Sequence, residues 1–402
     1  MTISEESIKY SLKNIAHRKT RSALTIFSIL IGITTMFIFI SFGWGLYDYV
    51  NSFTSGTSAD KITIQPKGIG APGMDDAFSL TKKDLKAVER SVGVFEAEGL
   101  YMKVIDVKKD DVLKYVMFSS QDPKKNLGKE LMNVKLIKGR ELQSGDVKKV
   151  VLGYSYLLEN KVFPKGLDIN DKITLKGEDF RVVGFYSELG NPQDDSNIYI
   201  LPGTAEALYP NMTGYAMIIG RADIKNMNAT LLNVERNLRI SRGVEKGKED
   251  FYVASFEDLI KTYMSALDIV IGFVILIALI SVLVSAINTS NTMITSVIER
   301  TKEIGIIKSI GAKNSEIFNI FLFESGFLGF IAGVLGVLFG GVLTFIAGKT
   351  LDTLGWGFLS PHYSYSLFIG CILFATVTGA ISGVIPAINA SRTNIVDALR
   401  YE

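Results

Sequence analysis

Cysteine is nearly absent from this 402-residue chain. The one present, Cys371, falls inside a hydrophobic run, and a disulfide within the chain is excluded in any redox compartment. Histidine is almost as scarce: His17 and His362 lie far apart, so a His/Cys metal site and Ser–His or Cys–His catalysis lack their residues. Charge of one sign is missing too. With 43 Lys and Arg against 41 Asp and Glu the net charge is +2, which argues against a nucleic-acid binder and against an acidic tail. No G-x-x-x-x-G-K-[ST] loop is present to cradle phosphate with backbone amides. Gly348-Lys349-Thr350 is a fragment of one, but Leu343 stands where the first glycine is required.

Long apolar stretches are what the chain has instead: mean hydropathy is +0.27 and only 21% of residues are charged. No charged residue occurs between Arg21 and Asp48, between Asp268 and Glu299, or between Glu324 and Lys349. A fourth such stretch separates Asp352 from Arg392, with its helix starting after Pro361. Each is long enough to cross a hydrocarbon core of about 30 Å at about 1.5 Å per residue. The first is too long for a signal peptide and lacks a small-residue cleavage site, so it reads as a retained anchor.

Orientation follows from the flanks. Lys9, Lys13, Arg18, Lys19 and Arg21 precede the first span; Arg300, Lys302, Lys308 and Lys313 separate the second from the third; Arg392 and Arg400 follow the fourth. The positive-inside rule therefore predicts cytoplasmic termini and an extracytoplasmic segment between the first two spans. The expected layout is a cytoplasmic amphipathic elbow helix over residues 1–21, with Ile8, Leu12 and Ile15 on its apolar side, and spans over 22–49, 263–295, 315–348 and 364–388. An extracytoplasmic domain fills 50–262, a cytoplasmic segment 296–314, an outer loop 349–363 and a cytoplasmic tail 389–402.

The 50–262 segment carries globular patterning. Alternation in residues 61–65 and 172–176 predicts half-buried strands, as do 180–185 and 197–201. Helical spacing appears from Thr81 to Arg90 and from Asp223 to Leu238, and Gly/Pro/Asp-rich breaks at 68–76 and 190–195 read as loops. The fold class is thus an integral membrane protein with four transmembrane α-helices and a large mixed α+β extracytoplasmic domain. That domain is expected in two lobes, one β-rich over about 139–202. Two glycosylation sequons, at Asn211 and Asn228, are the kind that arises by chance.

Within the spans, Gly326, Gly329, Gly333, Gly336 and Gly340 share one face of the third, and Gly379 and Gly383 repeat the pattern in the fourth. Small residues let backbones approach in lipid, so these are close-packing seams, either static or able to slide, in a bundle or a dimer. Ser281, Ser285 and Asn288, with Ala278 and Thr292, place polar groups along one face of the second span, directed at another helix. Glu324 is a carboxylate inside a span, near its cytoplasmic end, where pairing with a basic residue suits a structural role.

The segment after the second span is the most distinctive. Glu299, Arg300 and Glu303 cluster first; an amphipathic turn then offers Ile304, Ile307 and Gly311 on one side; Gly311 is a helix stop, and Asn314 or Ser315 can cap the next span. A short interfacial helix tied to two spans is a lever for a soluble partner. The run E-R-T-K-E-I-G-I-I-K-S-I-G-A, residues 299–312, resembles the signature of the MacB/FtsX/LolC (type VII) ABC permease superfamily. So do residues 14–25, Pro386-Ala387, Ala390-Ser391-Arg392 and the ending from Ala398 to Glu402. The resemblance covers the whole chain.

This resemblance implies a non-enzymatic permease subunit in the cell membrane, working as a homodimer with separate cytoplasmic ABC ATPase subunits that hold ATP and Mg. Glu299, Arg300, Glu303, Ile304, Gly305, Ile307, Lys308 and Gly311 would then be the ATPase-coupling residues. Motion would be relayed to the extracytoplasmic domain to export or extract a substrate that the sequence does not name. Partners would be the ATPase, a second copy, membrane lipids and an extracytoplasmic adaptor or substrate protein, with no nucleic acid and no cofactor on this chain. The alternative is an FtsX-like scaffold controlling an extracytoplasmic enzyme; a receptor or channel lacks the row of intramembrane charges it needs.

Overall fold

The computed structural model describes residues 19–54, 59–67, 79–212 and 214–400. In chain order these form α1 (Lys19–Thr54), β1 (Lys61–Pro66), α2 (Lys82–Glu89), β2 (Val94–Leu100), β3 (Met102–Lys109) and β4 (Val112–Ser120). There follow α3 (Leu127–Met132), β5 (Leu136–Gly139), β6 (Lys149–Leu152), β7 (Lys172–Leu175), β8 (Glu178–Tyr186) and α4 (Pro192–Asp195). Next come β9 (Ile198–Ile200), α5 (Pro202–Leu208), β10 (Met217–Ala222), α6 (Met227–Arg242) and β11 (Phe251–Ser255). The rest is helical: α7 (Phe256–Glu299), α8 (Thr301–Ser309), α9 (Asn314–Leu354), α10 (Tyr365–Ser391) and α11 (Ile395–Arg400). The elbow helix expected over 1–21 falls, up to residue 18, outside the described residues, as do the loop at 68–76 and the last two residues of the tail.

The chain divides into two units, one of residues 47–265 with 351–359, the other of the remaining helical segments. In the first, an antiparallel sheet has the order β11-β1-β10-β2. A second, mixed sheet runs β5-β8-β6-β9-β4-β3-β7, and β7 pairs also with β8, which closes β8-β6-β9-β4-β3-β7 into a ring. Phe118, Phe180 and Phe185 fill its core with Val150, Leu152, Ile173 and Ile198. Burying each such side chain contributes about 1.5–3 kcal/mol. This sheet reaches back to Met102, so the β-rich region begins well before the expected residue 139. The β3–β4 hairpin joins it through pairing to β7 and β9, which lie far along the chain.

The helix over 82–89 starts as its sequence dictates. Thr81 and Asp84 form a reciprocal capping box, and Val88 is fully buried. Strand β1 departs from the half-buried pattern: it is central, between β10 and β11, so Lys61, Ile62, Thr63 and Ile64 are all buried. Lys61 is 0% exposed and pairs with Asp60 at 2.5 Å and Glu130 at 2.9 Å; Arg221 bridges Glu96, Glu130 and Asp60 from β10. A buried ammonium is tolerable only with such pairing.

The 190–195 break holds the short helix α4, with Pro192 in its first turn and Asn191 Oδ1 accepting the Gln193 N–H. Asp195 is buried there and accepts from Leu189 N at 2.6 Å and Gly190 N at 3.0 Å. Burial pushes its carboxyl up to about 6 in spite of those donors. The Gly190 carbonyl in turn accepts the Phe358 N–H at 2.9 Å, and Lys161 Nζ donates to Thr353 O at 2.5 Å. Segment 351–359 is therefore part of the globular unit.

The helical unit contains the apolar lengths of α1, α7, α9 and α10, each long and apolar enough to cross a membrane. These helices outrun the spans read from hydropathy: α7 starts at Phe256 rather than 263, and α9 continues to Leu354 rather than 348. The 44 residues of α7 would extend about 66 Å, roughly twice a hydrocarbon core. Backbone hydrogen bonding does not stop where hydropathy falls.

Candidate functional site

Helix α7 ends at Glu299, and Arg300 makes a corner, at φ −106° and ψ 9°, before α8 begins. Thr301 Oγ1 donates to the Ile298 carbonyl at 2.8 Å, which satisfies one of the free acceptors at the end of α7. Gly311 closes α8 in the left-handed region at φ +113°, with Gly311 N–H donating to Lys308 O and Ala312 N–H to Ile307 O. Asn314 is already helical; it is Glu316 that reaches back, accepting the Lys313 N–H at 3.0 Å. The cap expected from Asn314 or Ser315 is thus supplied from within the first turn of α9.

Two cations fix α8 to its neighbours. Arg300, 3% exposed, donates through Nη1 to Glu324 Oε2 of α9 at 3.2 Å and through Nε to Glu303 at 3.3 Å. Its guanidinium lies 5.1 Å over the Phe321 ring. Lys308 Nζ donates to the Ser391 and Thr393 carbonyls, at 3.0 and 2.8 Å, where α10 ends and its dipole is negative. Ile304 and Gly305 are buried beside Met293, Val297, Ile317 and Phe321. Helix α11 packs along α8, with Ala398 fully buried.

The expected coupling residues therefore divide. Arg300, Ile304, Gly305 and Lys308 face inward and Ile307 is half-buried, whereas Glu299, Glu303 and Gly311 are exposed. The apolar residues presented outward are Ile306, 46% exposed, and Ile310, 83% exposed, neither of them among those singled out from sequence. Their spacing of four is the available signal, but so is that of Ile304 and Lys308; only the tertiary contacts decide which stripe turns in. The inward anchors Phe321 and the Ser391 and Thr393 carbonyls were missed, because the chain reaches them from elsewhere.

The glycine stripe is an intrachain seam. A Cβ on Gly329 would meet Ala375 O at 2.5 Å, and one on Gly333 the Ala375 Cβ at 2.8 Å, both on α10. Gly379 and Gly383 complete that contact against Ser325. Farther along α9 the partner changes: Gly336 faces Ile33 and Leu30 of α1, and Gly340 faces Phe37. Gly326 is looser, with Ala380 Cβ at 3.5 Å. Thr34 Oγ1 donates to Gly336 O at 3.0 Å, adding an interhelical hydrogen bond to the approach.

On α7 the packed stripe is Ala278, Val282, Ser285, Thr289, Met293 and Ser296. Ser285 Oγ donates to Ser28 O of α1 at 2.9 Å. Ser281 and Asn288 lie at the margin, half-buried; Ser281 donates to its own helix at Ile277 O, which satisfies it without another helix. Thr289 was missed. Among the described residues no group of three His, Cys, Asp or Glu is placed to hold a metal ion. Gly348-Lys349-Thr350 is helical, within α9.

Residues 22–233 match the MacB-like periplasmic core domain, and residues 263–395 match the FtsX-like permease C-terminal family. The chain is 32% identical over 407 residues to an uncharacterized ABC transporter permease of Methanocaldococcus jannaschii, covering 99% of this chain and 98% of that one. It is 26% identical over 416 residues to the macrolide export ATP-binding/permease protein MacB of Mannheimia succiniciproducens, and spans 61% of that relative's length. The solved periplasmic region of MacB from Actinobacillus actinomycetemcomitans aligns with 51% of this chain and 93% of its own at 15% identity, TM-score 0.41. The core-domain match takes in more than half of the chain and the archaeal relative nearly all of it, so this protein belongs to the MacB-like ABC transporter permeases, membrane proteins with four transmembrane helices and an extracytoplasmic-type domain.

Proposed function

We propose that this permease relays the ATP-driven closure of a separate cytoplasmic ABC ATPase to its extracytoplasmic domain. The observation that carries the reading is the double anchoring of α8, by Arg300 to Glu324 and by Lys308 to the end of α10, beneath an outward Ile306–Ile310 edge. A helix held this way moves α9 and α10 when pushed, and the exposed isoleucines with Lys302 and Glu303 are what a soluble partner would grip. ATP and Mg belong to that partner. The same reading places both termini and α8 in the cytoplasm, by the charge bias of the flanks, and takes the working unit as two copies of the chain. The substrate exported or extracted is left open.

The test is co-purification of the full chain in mild detergent with its ATPase, beside Ile310→Asp and Ile306→Asp variants. Both side chains are exposed, so the fold should survive, while ATPase recovery and permease-stimulated hydrolysis should fall by about tenfold or more, as for loss of a central apolar contact. Full recovery of the ATPase with both variants would refute the assigned face.

A further inference from the structure

Between the two sheets of the globular unit lies a cavity of about 60 Å³. Its apolar walls are Leu100, Leu131, Ile219 and Tyr199, all buried, and Met102, Met132 and Met217 stand half-buried at its edge. The polar lining is almost entirely committed. Ser120 Oγ accepts the Tyr101 N–H at 2.9 Å, Gln121 Oε1 accepts the Tyr186 hydroxyl at 2.6 Å, and Lys129 is neutralised by Glu141 at 2.7 Å. Asn197 is the exception: it is 4% exposed, lines the cavity, and its Oδ1 has no hydrogen-bond partner. A buried acceptor left so costs about 1–3 kcal/mol.

We infer that this cavity is a binding site for a neutral amphiphile whose tip carries one hydroxyl or amide N–H. The tip donates to Asn197 Oδ1, and its hydrocarbon lies against the three methionines. Neutrality follows because the one charge in the lining is already paired. A donor is required because the orphan group is a carbonyl oxygen. The volume admits only the tip: a cavity of about 150 Å³ is needed for a molecule such as benzene. Methionine thioethers rotate easily and adapt to irregular apolar shapes, so the mouth can widen for the rest of the ligand. The site stands independently of how the membrane helices are driven.

The experiment is methyl NMR on the full chain in nanodiscs, with methionine methyl groups labelled and 1-butanol as the probe. Met102, Met132 and Met217 are assigned by Met→Leu variants. Saturable shifts confined to those three methyls are expected, with 1-chlorobutane, which has no donor, binding about 3- to 10-fold more weakly. Asn197→Leu should erase the difference between the two probes. Met217→Phe, which narrows the mouth without touching Asn197, should abolish the shifts while leaving the rest of the spectrum in place. Shifts spread over all methionines, equal binding of the two probes, or no saturation would each overturn the proposal. So would a water molecule held on Asn197 Oδ1 that 1-butanol does not displace.

Discussion

Phe118, Phe180 and Phe185 fill the ring of strands in the globular unit, whereas Gly329, Gly333, Gly379 and Ala375 make the central contact between α9 and α10 in the helical one. Water makes the first arrangement favourable, since large apolar side chains gain most by leaving it. In lipid that gain vanishes, and what remains is close backbone approach and a few interhelical hydrogen bonds. Polar groups divide likewise. The globular unit surrounds one buried cation, Lys61, with the half-buried Asp60, Glu96, Glu130 and Arg221, while the helical unit has Arg300 and Glu324 buried at the corner that α8 turns on. Deleting bulk should therefore damage one unit and adding bulk the other.

The largest effects should come from Phe180→Ala, at about 3–5 kcal/mol in denaturant unfolding of the globular unit, and from Glu324→Ala, at about 3 kcal/mol, the low end for breaking a buried pair because Arg300 keeps the exposed Glu303. The Arg300→Met, Glu324→Leu double variant should recover most of the second loss, and failure to recover would mean the pair does more than neutralise itself. Next, Gly329→Val should lower thermal stability in detergent by about 1–3 kcal/mol, because its Cβ meets backbone that has nowhere to go. Phe180→Ala should leave that helical transition alone.

A smaller effect separates the units by pH. The folded value of Asp195, about 6, lies above its ordinary 3.8, so the folded state binds the extra proton between them. Its contribution is fully present below about 4, declines as pH rises through 6, and is gone above. The melting temperature of wild type relative to Asp195→Asn should therefore fall by about 4–8 °C from pH 4.5 to pH 7, the equivalent of about 2 kcal/mol. A flat difference would show that the loop donors outweigh burial. The smallest effect, under about 0.5 kcal/mol, is expected for Gly326→Ala, whose Cβ finds an ordinary contact at 3.5 Å. A loss as large as that of Gly329→Val would mean a tighter seam than the distances give.

Hydropathy alone marked the four spans and the globular insertion, because an uncharged run of such length has no stable alternative to lipid. Local pattern likewise marked Gly311 as a stop and the glycines of α9 as a seam, since each is written within one stretch of chain, whereas the Thr81–Asp84 capping box went unread inside the helical spacing of 81–90. What the glycines touch was not legible: the same stripe fits a dimer, and only the fold puts α10 and then α1 against it. Nor was the direction of Lys308, which the family resemblance offers to a partner and the structure spends on the end of α10. The closure of β7 onto both β3 and β8, and the burial of Lys61 in a central strand, are also long-range outcomes. A side chain's partner is chosen by whatever segment arrives beside it, and that arrival is a property of the whole chain's packing rather than of any window along it.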